Sequence, residues 1–443
     1  MDISVSPARA IEGIVKLPGD KSISHRYGIL GAIAEGATTI HNYATGGDCQ
    51  STLRCVQALG ATVERDGAKV IIHGGKLSQA ADMLDAGNSG STIRMLSGIL
   101  AAQPFTTRIG GDESLSRRPM GRIMRPLREM GAVIEGSPLH GGATGGSASD
   151  AAQYPPLTIH GFLERGGRPL HGIDYTLPVA SAQVKSCVLM AGLFAEGETI
   201  VREPVRTRDH TEIALRGFGA DIEVRGKIIR LAPGARLTGQ ELMVPGDLSS
   251  ATFFLVAALL MPEANLLIHH VGLNPTRSAV LDFLVSIGAS IKVIDVQQSG
   301  GELIGDLRVR ASKIQGGVIE GAMTAALIDE IPALAVLGAA SVGGLVVRDA
   351  SELRVKETDR IATLEANFKR MGVEIETTPD GFRIPGGQKF HAAQLNSAGD
   401  HRIAMAFAVA ALAADGPCTI GGAESAGVSF PEFFSTLQEI ARQ

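Results

Sequence analysis

The side chains most able to do chemistry in this chain stand in short polar runs. Lys21, Ser22 and Arg26 belong to Asp20-Lys21-Ser22-Ile23-Ser24-His25-Arg26, and Arg117-Arg118 stand just before Pro119. Lys356, Glu357 and Arg360 fall in Lys356-Glu357-Thr358-Asp359-Arg360, and His401 and Arg402 follow Asp400. Lysine and arginine beside a helix start suit an anion, because the first turn leaves N–H groups unpaired and carries partial positive charge. One such contact contributes only about 0.3–1 kcal/mol, so a working anion site adds cationic side chains. Several basic runs in one chain therefore point to a small ligand, or two ligands, with several negative charges. Lys21, Asp329, Glu357 and His401 are the acid–base candidates. The structural alternative is a solvated charged face at Arg354 to Arg360, helix caps at Asp20, Asp247 and Asp400, and packing or capping for His25 and His401. The recurrence of basic residues at matching points of a repeat favours the ligand.

That repeat is what must position them. Six polar openings recur roughly every 65–95 residues, a spacing that makes each copy a supersecondary unit rather than a solenoid turn. They are Gly19-Asp20-Lys21-Ser22, Gly87-Asn88-Ser89-Gly90, Ser181-Ala182-Gln183, Gly246-Asp247-Leu248-Ser249, Asp329-Glu330-Ile331-Pro332 and Gly399-Asp400-His401-Arg402. In the first copy, helical spacing after Asp20 ends at Glu35-Gly36, and Thr38 to Asn42 reads as a strand. A second helix, Ser51 to Leu59, stops at Gly60. A hairpin follows over 61–65 and 69–73, turned at Asp66-Gly67. Gly131, Gly219, Gly288 and Gly372 stop the second helix in other copies. Pro119 is expected as the first residue of one such helix, and Lys356 and Arg360 are expected on one helix face. The fold class is α/β, with the more apolar first helix of each copy innermost. Leu17-Pro18-Gly19-Asp20 and Val244-Pro245-Gly246-Asp247 share a phrase, and mark where the chain passes between two three-copy halves. The loop His140 to Ser147 is glycine-rich but lacks the ending of a phosphate loop, so a surface loop is expected there.

Composition sets the limits. The chain has 443 residues, 44% hydrophobic and 20% charged, with a net charge of −5 and no Trp. Acidic balance and scarce aromatics argue against nucleic acid as a partner. Four cysteines (Cys49, Cys55, Cys187 and Cys418) are scattered without metal or CxxC spacing, as in a reduced cytoplasmic protein. The N-terminus starts as an alternating strand rather than a targeting segment, and no apolar run approaches a membrane span. No metal cluster, nucleotide fingerprint or nucleophile elbow is present in the sequence.

Pro-Gly-Asp-Lys-Ser-Ile-Ser-His-Arg at 18–26, Gly-Asn-Ser-Gly at 87–90 and Arg-Arg-Pro-Met-Gly at 117–121 resemble the 5-enolpyruvylshikimate-3-phosphate synthase family. So do Thr-Arg-Asp-His-Thr-Glu at 207–212, Arg-Val-Lys-Glu-Thr-Asp-Arg at 354–360 and Asp-His-Arg at 400–402. The resemblance implies an inside-out α/β barrel fold of two similar domains, each of three βαβαββ units. The domains would be 20–245, and 1–19 with 246–443, with the active site in the cleft between them. It implies transfer of the enolpyruvyl group of phosphoenolpyruvate to the 5-hydroxyl of shikimate 3-phosphate. It also implies release of phosphate by addition then elimination, without metal or cofactor, and a monomer; a cytoplasmic location is expected.

Carried over by position, Lys21, Ser22, Arg26, Ser181, Ala182, Gln183, Arg208, Asp329 and Lys356 would meet shikimate 3-phosphate. Ala182 stands where some relatives have a second serine. Lys21, Gly90, Arg118, Gln183, Arg360 and Arg402 would meet phosphoenolpyruvate. Asp329 would orient the attacking hydroxyl and take its proton. Glu357 and Lys21 would serve the methylene carbon and the leaving phosphate. Two departures stand out: Ser429, not a lysine, precedes Phe430-Pro431, and 207–212 differs from the Ser/Tyr version of some relatives. Gly90 keeps the residue whose replacement by alanine crowds glyphosate in tolerant relatives. The related transferase acting on UDP-N-acetylglucosamine uses a loop cysteine, which 110–118 lacks. A non-catalytic RNA-end-binding scaffold would leave Asp329 and Glu357 without a purpose.

Overall fold

The computed structural model describes residues 1–138 and 153–443; the glycine-rich run at 140–147 lies outside them. The chain divides into two compact units, Met1–Asp20 with Pro245–Gln443, and Lys21–Val244. Each has its own apolar core.

The middle unit holds three four-stranded sheets of one design. In the second, Leu84–Asp85 runs parallel to Thr107–Gly110, which pairs antiparallel with Tyr154–His160, and that strand pairs with Val133–Ser137. One helix, Gly90–Leu100, joins the first two strands, and another, Gly121–Glu129, leads into the hairpin. This is βαβαββ. The leading strands escape the periodicity of the sequence because they are two or three residues long: Leu84–Asp85, Asp174–Thr176 and Glu241–Met243. The last of these pairs with Gly36–His41, so the end of the third copy completes the sheet of the first.

The other unit repeats the scheme less evenly, in sheets of five, four and three strands. Its five-stranded sheet takes Ala10–Lys16 as the parallel partner of Glu263–Gly272. The N-terminal segment thus completes the fourth copy.

Six inner helices fill the cores: α1 (Lys21–Ile33), α2 (Gly90–Leu100), α3 (Ala182–Gly192), α4 (Leu248–Leu260), α5 (Ile331–Ala340) and α6 (His401–Leu412). All twelve residues of α6, and all of α4 but its last, are buried. A helix apolar on every side can satisfy itself only in an interior. Four of the polar openings cap their helices through a side chain. Ser89 Oγ accepts from Thr92 N, Ser181 Oγ from Val184 N, and the carboxylates of Asp247 and Asp400 from Ser249 N and Arg402 N.

The outer helices stop where glycine allows. Gly60, Gly131, Gly219, Gly288 and Gly372 all have positive φ, between 75° and 103°, a backbone that disfavours side chains with a Cβ. Three local expectations need correction. The first hairpin pairs Asp66 with Lys69, so its turn residues are Gly67 and Ala68, with Gly67 at φ 57°. Pro119 lies outside a helix, because the next one starts at Gly121 behind Met120. Lys356 and Arg360 do not share a helix face. Asp359 caps a helix that begins at Arg360, and Lys356 and Glu357 link it to the short 3-10 helix Ser351–Val355. Among the described residues no helix is long and apolar enough to cross a membrane.

Candidate active site

In the middle unit the predicted residues gather at the starts of α1, α2 and α3. Lys21 Nζ donates to Asp48 Oδ2 at 3.0 Å, from the helix Gly47–Ala58. Ser22 is half-buried beside it. Arg26 is 3% exposed, and its guanidinium donates to the Ser22 carbonyl at 2.6 Å, Thr211 Oγ1 at 2.6 Å and Ser186 Oγ at 2.8 Å. It therefore fixes the first turn of α1 against α3 and the helix His210–Gly217. His25 Nδ1 lies 2.7 Å from Thr52 Oγ1, which meets Thr92 Oγ1 at 2.7 Å. Burial, with Lys21 and Arg26 nearby, pushes the His25 imidazole well below its ordinary pKa. His25 is a neutral packing residue.

Gly90 opens α2 beneath two arginines. A Cβ there would lie 2.8 Å from Arg94 Nη1 and 3.5 Å from Arg118 Nη1. Arg118 donates to Asn88 Oδ1 at 2.6 Å and Ser114 Oγ at 3.1 Å. Gln183, in the first turn of α3, accepts from Arg94 at 2.8 Å and donates to Ser91 Oγ at 2.9 Å. Gly90, Arg118 and Gln183 are therefore neighbours, while Ser181 and Ala182 begin the same helix as Gln183. Sequence reasoning missed Arg94, which stands four residues past Gly90 and so on the same helical face. It also missed Asp48, whose contact with Lys21 is tertiary and leaves no spacing to read.

Arg208 is half-buried in the segment ahead of His210–Gly217. That segment is anchored by Thr207, whose N–H and hydroxyl both donate to Glu203 Oε1. Glu203 in turn meets Lys185 Nζ at 3.1 Å, and Glu212 meets it at 2.7 Å. Lys185 is fully buried. Burial raises the Glu212 pKa, opposed by that ammonium.

The other unit assembles the acidic half. Asp329 Oδ1 lies 3.7 Å from both Lys356 Nζ and Arg360 Nη1. Glu357 Oε2 accepts from Arg360 Nη2 at 2.6 Å, and Asp400 Oδ2 accepts from Arg360 Nε at 2.7 Å. Arg402 Nη1 reaches the Asp329 carbonyl at 2.7 Å. Burial alone would lower the pKa of Arg360, which is 1% exposed. Asp400, Glu357 and Asp329 outweigh that and hold it above its ordinary value. It stays a cation. His401 is 1% exposed at the start of α6, with Nδ1 4.0 Å from Asp400 Oδ1. Of the acid–base candidates it is the most deeply buried.

Three cations (Lys356, Arg360 and Arg402) thus interleave with three carboxylates (Asp329, Glu357 and Asp400). Such a cluster can hold an anion and set carboxylates beside it for acid–base work. Among the described residues no group of three or more His, Cys, Asp or Glu is arranged to hold a metal ion. The four cysteines are free and buried.

The family model described as EPSP synthase (3-phosphoshikimate 1-carboxyvinyltransferase) matches residues 5–437. The chain is 60% identical to the 3-phosphoshikimate 1-carboxyvinyltransferase of Solibacter usitatus (strain Ellin6076), over 100% of both chains. It is 50% identical to that of Koribacter versatilis (strain Ellin345), over 100% of this chain and 99% of the relative. A solved EPSP synthase structure from Acinetobacter baumannii superposes with a TM-score of 0.85 at 42% identity, over 99% of this chain and 98% of that one. The two-unit α/β architecture is therefore the enolpyruvyl transferase fold. The chain belongs to the EPSP synthase (3-phosphoshikimate 1-carboxyvinyltransferase) family, whose members catalyse enolpyruvyl transfer in the shikimate pathway.

Proposed function

We propose that this chain transfers the enolpyruvyl group of phosphoenolpyruvate to the 5-hydroxyl of shikimate 3-phosphate and releases inorganic phosphate. The observation that carries this is the joining of Asp329, Lys356, Glu357, Arg360 and Arg402 in one hydrogen-bonded and ion-paired cluster. They come from three sequence runs, and the cluster supplies both charges for an anion and groups for proton transfer.

Ser22, Ser181, Gln183, Arg208 and Lys356 hold shikimate 3-phosphate, with Arg26 setting the first turn that carries Ser22. Ala182 offers no hydroxyl. Arg118, Arg360 and Arg402 hold the carboxylate and phosphate of phosphoenolpyruvate, and Gly90 leaves room for it to approach. In the addition step the 5-hydroxyl attacks C2 of phosphoenolpyruvate, and Asp329 takes its proton. The methylene carbon gains a proton, giving a tetrahedral adduct with a methyl group. Elimination removes a proton from that methyl as the C2–O bond to phosphate breaks. Glu357 and Lys21 serve these transfers, and His401 stands beside Asp400 at the start of α6. Stabilising charge as it develops on the phosphate and the adduct is where preorganised arginines contribute most.

No metal or cofactor enters this scheme. The chain acts as a monomer in the cytoplasm. Phosphorus NMR of the protein with both substrates tests the scheme. It should show inorganic phosphate and a new enol ether retaining the 3-phosphate; phosphate without that ether would contradict it.

A further inference from the structure

Asp20 and Asp247 end the two matching Pro-Gly-Asp phrases, and both point to one side chain that no motif contains. Arg277 is 5% exposed, with Nε 3.1 Å from Asp20 Oδ2 and Nη2 2.9 Å from Asp247 Oδ1. Nη2 also donates to Ser249 Oγ at 2.9 Å, and Ser249 Oγ donates to Glu330 Oε1. The main chains they sit on are tied together as well: Asp20 N donates to the Pro245 carbonyl at 2.7 Å, and Asp247 N to that of Pro18 at 3.1 Å. Arg277 is held from behind. Its N–H donates to the Asn274 carbonyl at 2.9 Å, and the Asn274 amide donates to buried Glu302 at 2.9 Å.

Asp20 is covalently followed by Lys21, and Glu330 is covalently preceded by Asp329. A single guanidinium therefore restrains the neighbours of two proposed proton carriers. Buried ion pairs are weak sources of stability, since apolar side chains of similar volume often do as well. Their better-attested use is to fix one geometry. Burial alone would favour the neutral guanidine, but Asp20, Asp247 and Glu330 keep Arg277 charged.

We infer that Arg277 is a positioning residue for enolpyruvyl transfer, acting on Lys21 through its covalent neighbour Asp20 and on Asp329 through Ser249 and Glu330. This rests on the roles proposed above for Lys21 and Asp329. It predicts a loss in turnover with substrate affinity kept, because a misplacement of about 1 Å can lower a rate by about 10²-fold.

The test compares wild type, Arg277→Gln, Arg277→Lys and Ser249→Ala, each at a temperature well below its own melting point. Turnover is expressed per site that binds shikimate 3-phosphate in calorimetry, which removes any misfolded fraction. Expected is a fall in kcat of about 10–100-fold in Arg277→Gln and a smaller one in Arg277→Lys, with shikimate 3-phosphate affinity within about threefold. Ser249→Ala, which cuts only the arm to Glu330, should lower kcat by at least about threefold. If Arg277→Gln does not fold, the other two variants decide. Normal kcat per site in both, beside an active wild type, would overturn the inference and assign Arg277 to stability alone. An inert wild type would instead overturn the reaction on which it rests.

Discussion

At the scale of single residues, Arg360 organises the acidic half of the site: Asp400 and Glu357 bind it, and Asp329 lies within 3.7 Å. A carboxylate that only anchored this arginine would, when neutralised, weaken ligand binding. One that carries protons would lower turnover instead. Glu357→Gln and Asp329→Ala should each lower kcat by about 10²–10⁴ while shikimate 3-phosphate affinity stays within a few-fold. Single-turnover kinetics with calorimetry would separate the two, and near-normal kcat in both variants would remove these residues from the proton transfers. Gly90→Ala should act on binding. Its Cβ would meet Arg94 at 2.8 Å and push it off Gln183. An overpacking cost of about 1 kcal/mol corresponds to a rise of roughly fivefold in KM for phosphoenolpyruvate. An unchanged KM would mean that the cradle over Gly90 does not hold that ligand. Lys356, Glu357, Arg360 and Arg402 were legible because charged groups near helix starts form recognisable runs. Asp48, 27 residues from Lys21, and Arg277 were not, since a partner brought by tertiary folding leaves no mark on local spacing.

At the scale of elements, the helix stops were legible because positive φ restricts the residue, whereas the leading strands were too short to show alternation. The run Lys356 to Arg360 misled for a related reason: its four-residue spacing straddles a boundary, with Asp359 capping a helix that has not yet begun. Two glycines of one segment make the backbone argument testable. Gly219 has φ +102°, and a Cβ there would meet nothing closer than the Arg236 carbonyl at 3.5 Å. Gly219→Ala should therefore lose about 1–2 kcal/mol through backbone strain alone. Gly217, in the last turn of His210–Gly217, has open space and no positive φ. Gly217→Ala should gain about 0.5 kcal/mol. Urea midpoints should shift in opposite directions, and a shift of the same sign in both would refute the backbone account.

At the scale of the whole molecule, two cores and two long-range strand pairings, one inside each unit, make one chain of two similar units. Ala10–Lys16 completes the fourth copy and Glu241–Met243 the first. This arrangement follows from long-range pairing, and only the repeated Pro-Gly-Asp phrase announced it in the sequence. The central claim is the acceptor. Initial rates of phosphate release from phosphoenolpyruvate should be measured with shikimate 3-phosphate and, separately, with UDP-N-acetylglucosamine. Release with shikimate 3-phosphate alone is the predicted result; release with the sugar nucleotide alone, or with neither, would contradict it.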